Sequence, residues 1–497
     1  LHTIHSIQPA LAIVVSLFAA GLVIVSGGRP NLRESWSIGA GVLKFLLVVS
    51  MAPAIFSGQQ IEYTLFSFLP GLELKLRVDA LGLLFGTIAS FLWILTSFYS
   101  IGYMRSLSEH AQTRFYTCFA LSLACAIGIA FSANLLTLFL FYELLSLVTY
   151  PLVAHKETPE AYAGARKYLI YLVGTSKTFL LSAVILTYIV AGNLEFSPHG
   201  LLSAVSQQVH PGILIAIYIL FLAGFAKAGI MPLHAWLPAA MVAPTPVSAL
   251  LHAVAVVNTG VFCILRVIFN VFGVETMRQL HLGIPTAFFV SITILLASIY
   301  ALTRDNLKAR LAYSTVSQLS YMILGASLLT PAGMTGGILH IANHAFSKIT
   351  LFFCAGSIYV ASHKTNISEM KGIGRKMPLT MAAFAVGSLS MIGVPPVAGF
   401  VTKWYLAVGT IEANQIPILI VLLTSTLLNA AYFIPMTYHA FFSAPSISSD
   451  HGGKGDGEEI HEASYFVVIP LLITAVASVL LGIFPSYFLS LAREVIR

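Results

Sequence analysis

The chain has 497 residues, of which 58% are hydrophobic and only 9% charged, against about 25% charged in soluble domains. The apolar excess recurs in blocks of about 20 or more residues, each able to cross a ~30 Å hydrocarbon core, which excludes a string of soluble domains. The formal charge of +7 is spread over loops and helix interiors without a basic cluster, which leaves no footprint for nucleic acid.

Taken in chain order, the sequence predicts an all-α polytopic membrane protein of about fourteen spans. They are centred near residues 16, 47, 91, 124, 145, 180, 222, 258, 294, 319, 348, 394, 430 and 477. The first, Ile7 to Ser26, lacks a basic leader and a cleavage site and reads as a retained helix. Turn-forming stretches separate the spans at Gly27 to Pro30, Lys156 to Pro159, Pro211-Gly212 and Lys364 to Pro378. The expected units are three N-terminal helices (1–110), a five-helix unit (111–275), a second five-helix unit (280–443), a polar loop (444–463) and a last helix (464–497). The four cysteines, Cys118, Cys125, Cys263 and Cys354, have no CxxC spacing and read as packing residues.

Counting Lys and Arg by loop sets the expected orientation. Fifteen, among them Arg29, Arg105, Lys156, Lys308 and Lys454, fall in odd-numbered loops, and five (Lys75, Arg77, Arg278, Arg493 and Arg497) in even loops and the C-terminus. By the positive-inside rule the odd loops face the cytoplasm and both termini face away from it.

The other six basic residues lie within predicted helices: Lys44, Lys177, Lys227, Arg266, Lys348 and Lys403. Lys44 and Arg266 are read as snorkelling from near helix ends. Of 19 acidic residues, only Glu143 lies well inside a span, with Asp79 at the start of another. A charge at a helix centre costs about 2.5–3.5 kcal/mol or more to insert, so such residues persist when paired, hydrated or needed. Glu143 is then either a helix–helix clamp or the partner of a buried lysine on a watered path.

Lys227 is the expected partner. It precedes Pro232 in Gly224-Phe-Ala-Lys227-Ala-Gly-Ile-Met-Pro232-Leu-His234-Ala-Trp236, where proline must break or kink the helix. Broken helices at membrane depth line cavities and bind ions. A second break is expected at Gly393-Val-Pro395-Pro396, followed by Gly399 and Lys403; Lys403 either snorkels or serves the path. The breaks fall in the seventh and twelfth spans, five apart, which is the pattern of two inverted five-helix repeats. Between them His340, His344 and Lys348 advance about 40° per step and form one stripe roughly 12 Å long. That stripe suits a proton relay. A zinc site lacks a third ligand and the glutamate of HExxH, and packing histidines are the remaining reading. His252 and His234 are possible additions to the relay. Lys177 is either another member or a second partner for Glu143; the spacing of a phosphate loop is not met around it.

These residues resemble the antiporter-like subunits shared by respiratory complex I, Mrp-type cation/proton antiporters and membrane-bound hydrogenases. The resemblance is strongest over Ala223 to His252, Arg310 to Lys348 and Gly393 to Trp404. It implies fourteen helices in two inverted repeats, an input pair at Glu143 and Lys227, central groups at His252, His340, His344 and Lys348, and an exit lysine at Lys403. The sequence departs from it at Asn258, where many members carry a titratable lysine, and at Ala240, a frequent aspartate. No room is expected for the long lateral helix of the largest complex I member. The implied function is proton translocation, or proton/sodium exchange, within a multisubunit membrane complex. A stand-alone carrier and a membrane subunit for energy-coupled inorganic carbon uptake are the alternatives. No haem, cluster, flavin or nucleotide motif is present, so no cofactor and no redox chemistry of its own are expected.

Overall fold

The structure is a computed structural model that describes residues 2–69, 71–444 and 460–497. Most of the expected polar loop, with Lys454, lies outside the described residues. In chain order the helices are α1 (Gln8–Val25), α2 (Pro30–Ser50), α3 (Ala52–Phe56), α4 (Ala80–Ser106), α5 (Gln112–Ala130), α6 (Leu135–Val153), α7 (Pro159–Thr175) and α8 (Leu181–Ala191). Then come α9 (Pro211–Gly224), α10 (Trp236–Ala239), α11 (Thr245–Ala253), α12 (Val257–Arg266), α13 (Val274–Gln279), α14 (Gly283–Leu302), α15 (Leu307–Ser327) and α16 (Pro331–Ser362). The last are α17 (Pro378–Ile392), α18 (Ala398–Glu412), α19 (Ile416–Phe442), α20 (Tyr465–Ile483) and α21 (Ser486–Val495).

Among the described residues, eleven helices are long and apolar enough to cross a bilayer, counting α2 with α3, α7 with α8 and α11 with α12 as single runs. Side-chain caps begin several of them. The Asp79 carboxylate accepts from Gly82 N, Asn134 from Thr137 N, Asn306 from Ala309 N and Thr330 from Gly333 N, closing amides that a helix start leaves open. α9 and α17, at 14 and 15 residues, are shorter than the ~20 residues a span needs, because each stops at a break.

Those two breaks stand where proline and glycine placed them. Between α9 and α10 the chain makes a 3₁₀ turn, Ala226–Ala228, and then runs through Pro232 without regular helix. Between α17 and α18 it turns at Gly393 (φ 91°) and passes Pro395 and Pro396. A third interruption was not expected. α11 ends at Ala253 and α12 starts at Val257, with no proline or glycine between them.

The bundle is built around α16, in which every residue from Ala332 to Ile358 is buried. It packs against α15, α18, α17, α11, α20 and α4. α15 carries a buried polar run from Ser314 to Ser320, which keeps it out of the set chosen by hydropathy alone.

One element lies beyond the helical expectation. β1 (His2–His5), β2 (Gln59–Leu69) and β3 (Leu72–Val78) form a three-stranded sheet, β1 parallel and β3 antiparallel to the central β2. Lys75 and Arg77 of β3 pair with Glu62 of β2 and with Glu195. Arg77 holds the Glu62 carboxyl below its ordinary range against the opposing effect of partial burial.

Candidate functional site

The expected Glu143–Lys227 contact is not closed. Glu143 is nine-tenths buried on α6, and its Oε2 lies 3.0 Å from Lys177 Nζ. Lys177 sits in a π-helical turn, Ser176–Leu180, that joins α7 to α8; the wider i→i+5 turn re-aims side chains relative to a regular helix. Its side chain is 53% exposed. Glu143 Oε1 has no hydrogen-bond partner among the described residues.

Lys227 is fully buried. Its ammonium donates to the Tyr142 carbonyl at 3.0 Å and to Ser146 Oγ at 2.6 Å, and stands 3.3 Å from the centroid of the Tyr142 ring. Tyr142 and Ser146 are one helical turn apart and Tyr142 adjoins Glu143, so the two lysines address neighbouring faces of one helix. The position of Lys227 is fixed by backbone contact. A Cβ at Gly260 would collide with the Ala228 amide and the Lys227 carbonyl carbon, so only glycine lets α12 lie against the break.

The interruption between α11 and α12 explains Asn258. Its Nδ2 donates to the Ala253 carbonyl at 2.6 Å, an acceptor at the end of α11. Asn258 therefore secures the break and does not itself form a charged step. His252, one residue earlier on α11, is fully buried with its ring 4.9 Å from Phe352. Neither of its ring nitrogens has a partner among the described residues, and the same holds for His344. Buried polar groups are normally paired with protein or with water, so these two imidazoles stand out as groups with unfilled hydrogen-bonding capacity.

Around the second break the polar groups form a connected set. Lys348, fully buried, donates to Ser314 Oγ at 2.8 Å. Tyr432 OH donates to Asn429 Oδ1 and lies 3.2 Å from Ser314 Oγ. Asn429 Nδ2 and Gln318 Nε2 both reach the Met391 carbonyl, at 3.2 and 3.5 Å. Gln318 Oε1 is 3.0 Å from His340 Nε2, whose Nδ1 is 3.0 Å from Thr402 Oγ1. One residue along, the Ile392 carbonyl accepts from Lys403 Nζ at 2.7 Å, and Thr426 Oγ1 accepts at 3.1 Å. The break is held together by glycine as well: a Cβ at Gly399 would run into the Ser390 carbonyl oxygen.

His340, His344 and Lys348 thus share one buried helix, and Lys403 joins them through the break at 391–392. His234 stands apart. It follows Pro232, is half-buried with Nδ1 unpartnered among the described residues, and faces the Tyr313 ring at 6.2 Å. Ser314, Gln318 and Tyr321 on α15 and Ser425, Asn429 and Tyr432 on α19 join this set without being among the residues the sequence singles out. Each trio has the spacing i, i+4, i+7 within an apolar helix, which is the signal that finds them.

Two lysine and arginine readings are corrected. Lys44 does not snorkel: it is mid-helix in α2 and fully buried, 3.3 Å from the Leu123 carbonyl and 5.0 Å from the Trp93 ring centroid. Arg266 is buried too and forms a two-pronged pair with Asp79, a geometry that suits the planar guanidinium.

Residues 132–429 match the family described as "NADH:quinone oxidoreductase/Mrp antiporter, TM". The chain is 29% identical to the NADH-quinone oxidoreductase subunit N of Desulforudis audaxviator, covering 97% of each. It is 30% identical to the Na(+)/H(+) antiporter subunit A1 of Staphylococcus haemolyticus over 90% of its own length, and spans 57% of that longer protein. In fold it is similar to a chain of the Mrp complex from Dietzia sp. DQ12-45-1b, with a TM-score of 0.87 at 22% identity over 99% of this chain and 97% of that one.

Proposed function

The chain belongs to the NADH:quinone oxidoreductase/Mrp antiporter transmembrane family, and on that footing we propose that it is a proton-translocating, or proton/sodium-exchanging, subunit of a multisubunit membrane complex. In this reading the chain crosses the bilayer fourteen times. The eleven long apolar runs are joined by α15, by α9 with its continuation through α10, and by the α17–α18 pair. Residues 111–275 and 280–443 are the two inverted five-helix repeats. Odd-numbered loops face the cytoplasm, and both termini face the opposite side.

The observation that carries the mechanism is the placing of two lysines around one carboxylate. Glu143 is paired with Lys177 while Lys227 rests on Ser146 and the Tyr142 carbonyl, one helical position away. Transfer of Glu143 from Lys177 to Lys227 changes the charge that Lys227 meets, and with it the proton affinity of Lys227. A proton released there passes through water-bridged His252 and His344 to Lys348. It then follows the Ser314–Tyr432–Asn429 and Gln318–His340 contacts to Lys403 at the second break. The helix breaks at Pro232, Pro395 and Pro396 supply free carbonyls along this line, and these would also serve sodium.

Association with other membrane subunits is supported by Lys177. Its side chain is half-exposed, as are Leu144 and Leu147 next to Glu143 on α6 and Ile170, about two helical turns before it on α7. A charge at bilayer depth is covered by protein or lines water, so this face is better suited to a neighbouring subunit than to lipid. The same observation favours a complex over a stand-alone carrier. The complex is of the oxidoreductase or cation/proton antiporter kind, or one that drives inorganic carbon uptake, and the remaining apolar surface meets the lipid bilayer.

The test is proton translocation by the reconstituted complex carrying Lys227→Ala. Assembly is expected to persist and coupled transport to be lost. Undiminished transport in an assembled variant defeats the proposal.

A further inference from the structure

Three side chains with metal-ligating atoms converge away from the relay, where the turn after α4 meets the end of α6. Glu109 and His110 sit in that turn between two residues in the left-handed region, Ser108 (φ 50°) and Ala111 (φ 47°). His155 follows two residues after Val153, the last residue of α6. One ligand atom from each of Glu109, His110 and His155 can be chosen so that all three lie within 4.8 Å of one another. His155 Nε2 is 3.8 Å from Glu109 Oε2, and the two imidazole rings are stacked with centroids 4.9 Å apart.

The His155 side chain is completely buried, yet neither ring nitrogen makes a well-formed hydrogen bond among the described residues, its polar neighbours being the His110 backbone and the Glu109 carboxylate at 3.8 Å. A neutral imidazole carries one donor and one acceptor, and a buried site that satisfies neither is unfavourable unless something else binds there. We propose that Glu109, His110 and His155 form a binding site for a divalent transition-metal ion of the zinc class. Two imidazoles and one carboxylate suit zinc or cobalt better than magnesium or calcium, which prefer all-oxygen shells.

Zinc bonds nitrogen and carboxylate oxygen at about 2.0–2.2 Å, which sets tetrahedral ligand atoms roughly 3.3–3.6 Å apart. The present spacing closes to that by side-chain rotation of Glu109 and of His110, whose side chain is 46% exposed, while His155 stays in place. The exposed side of His110 leaves the fourth position to water. The loop that bears His155 is already fixed, because its carbonyl accepts from Arg114 Nη2 at 3.2 Å. Arg114 also pairs with Glu157, so that carboxylate is engaged and Glu109 supplies the charge for the ion. A bound ion would tie the α4–α5 turn to α6, the helix that carries Glu143.

The experiment titrates the metal-free full chain in lipid nanodiscs with cobalt(II) and reads the visible absorption bands of tetrahedral cobalt. One ion per chain is expected, displaced by zinc, with affinity lowered at least about tenfold in both Glu109→Gln and His155→Gln. A double variant of the polar loop, His451→Ala with His461→Ala, is expected to bind as the parent does. The proposal is overturned if no band saturates at one ion per chain, if binding survives both ligand variants, or if the loop variant loses it instead. Should His155→Gln not fold, the Glu109→Gln result decides, since Glu109 lies in a partly exposed turn.

Discussion

The two ends of the buried line are built differently. Around the first break a single carboxylate, Glu143, stands near two lysines, and the lysine at the break is held by one hydroxyl, one carbonyl and an aromatic face. Around the second break there is no carboxylate within salt-bridge distance of Lys348 or Lys403 among the described residues. Their ammonium groups meet neutral oxygens, and serine, tyrosine, asparagine, glutamine and histidine side chains form a near-continuous set of contacts. In the proposed mechanism the choice between partners in the first region would serve as the switch, and the fixed polar contacts of the second would serve conduction.

The largest effect should come from removing the choice. Glu143→Gln keeps size and hydrogen bonding but leaves both lysines without a counter-charge, and coupled transport in the reconstituted complex is expected to fall by about a hundredfold or more. A variant that pumps at the parent rate would make the two regions equivalent. Next is the packing of the second break. Gly399→Ala forces a Cβ into the Ser390 carbonyl and is expected to destabilise the fold by about 1–3 kcal/mol, seen as a lowered unfolding temperature of the purified chain.

A smaller effect is expected within the path. Tyr432→Phe removes the hydroxyl between Ser314 and Asn429 and should slow transport by the worth of one hydrogen bond, about 0.5–1.5 kcal/mol, or roughly two- to twelvefold. The folded amount should be unchanged, and an unaltered rate would remove Tyr432 from the path.

The smallest effect lies outside the helices. Glu62 has a depressed carboxyl in the folded sheet, so its stabilising contribution is complete above the unfolded carboxylate value of about 4.3 and is lost as pH falls through the lower folded value. Amide exchange in residues 59–78 should therefore rise, relative to its intrinsic rate, as pH falls below the ordinary carboxylate range. No such rise is expected once Glu62 is replaced by Gln.

What the sequence made legible follows from cost. A charge, or a proline with glycine, stands out in an apolar span because it is expensive there, and this marked Glu143, Lys227, Lys348, Lys403 and both proline breaks. Features without such a cost were hidden. The pairing of Glu143 with Lys177 is one of the two readings the sequence leaves open for that lysine, and the π turn that aims its side chain is what the sequence does not show. The third break has only Val254, Ala255 and Val256 at its centre, and depends on Asn258 from the next helix. Ser314, Asn429 and Tyr432 are inexpensive residues whose spacing matters only once α15 packs on α16 and α19 packs on α14, α17 and α18. The β2–β3 hairpin was lost between two spans, although Leu72 to Val78 alternates charged and apolar residues as a strand does. Lys44 shows the converse, a buried charge assigned to a helix end when it lies at mid-helix.

The most direct measurement compares Lys227→Ala with Lys177→Ala in the same assembled complex, by the proton gradient formed in proteoliposomes. Lys227→Ala is expected to abolish the gradient, because the proton-carrying partner is gone. Lys177→Ala should retain a reduced one, because Glu143 can still approach Lys227. A full gradient with Lys227→Ala would rule out Lys227 as the proton carrier, and complete loss in Lys177→Ala alone would rule out a Glu143 that moves between the two lysines.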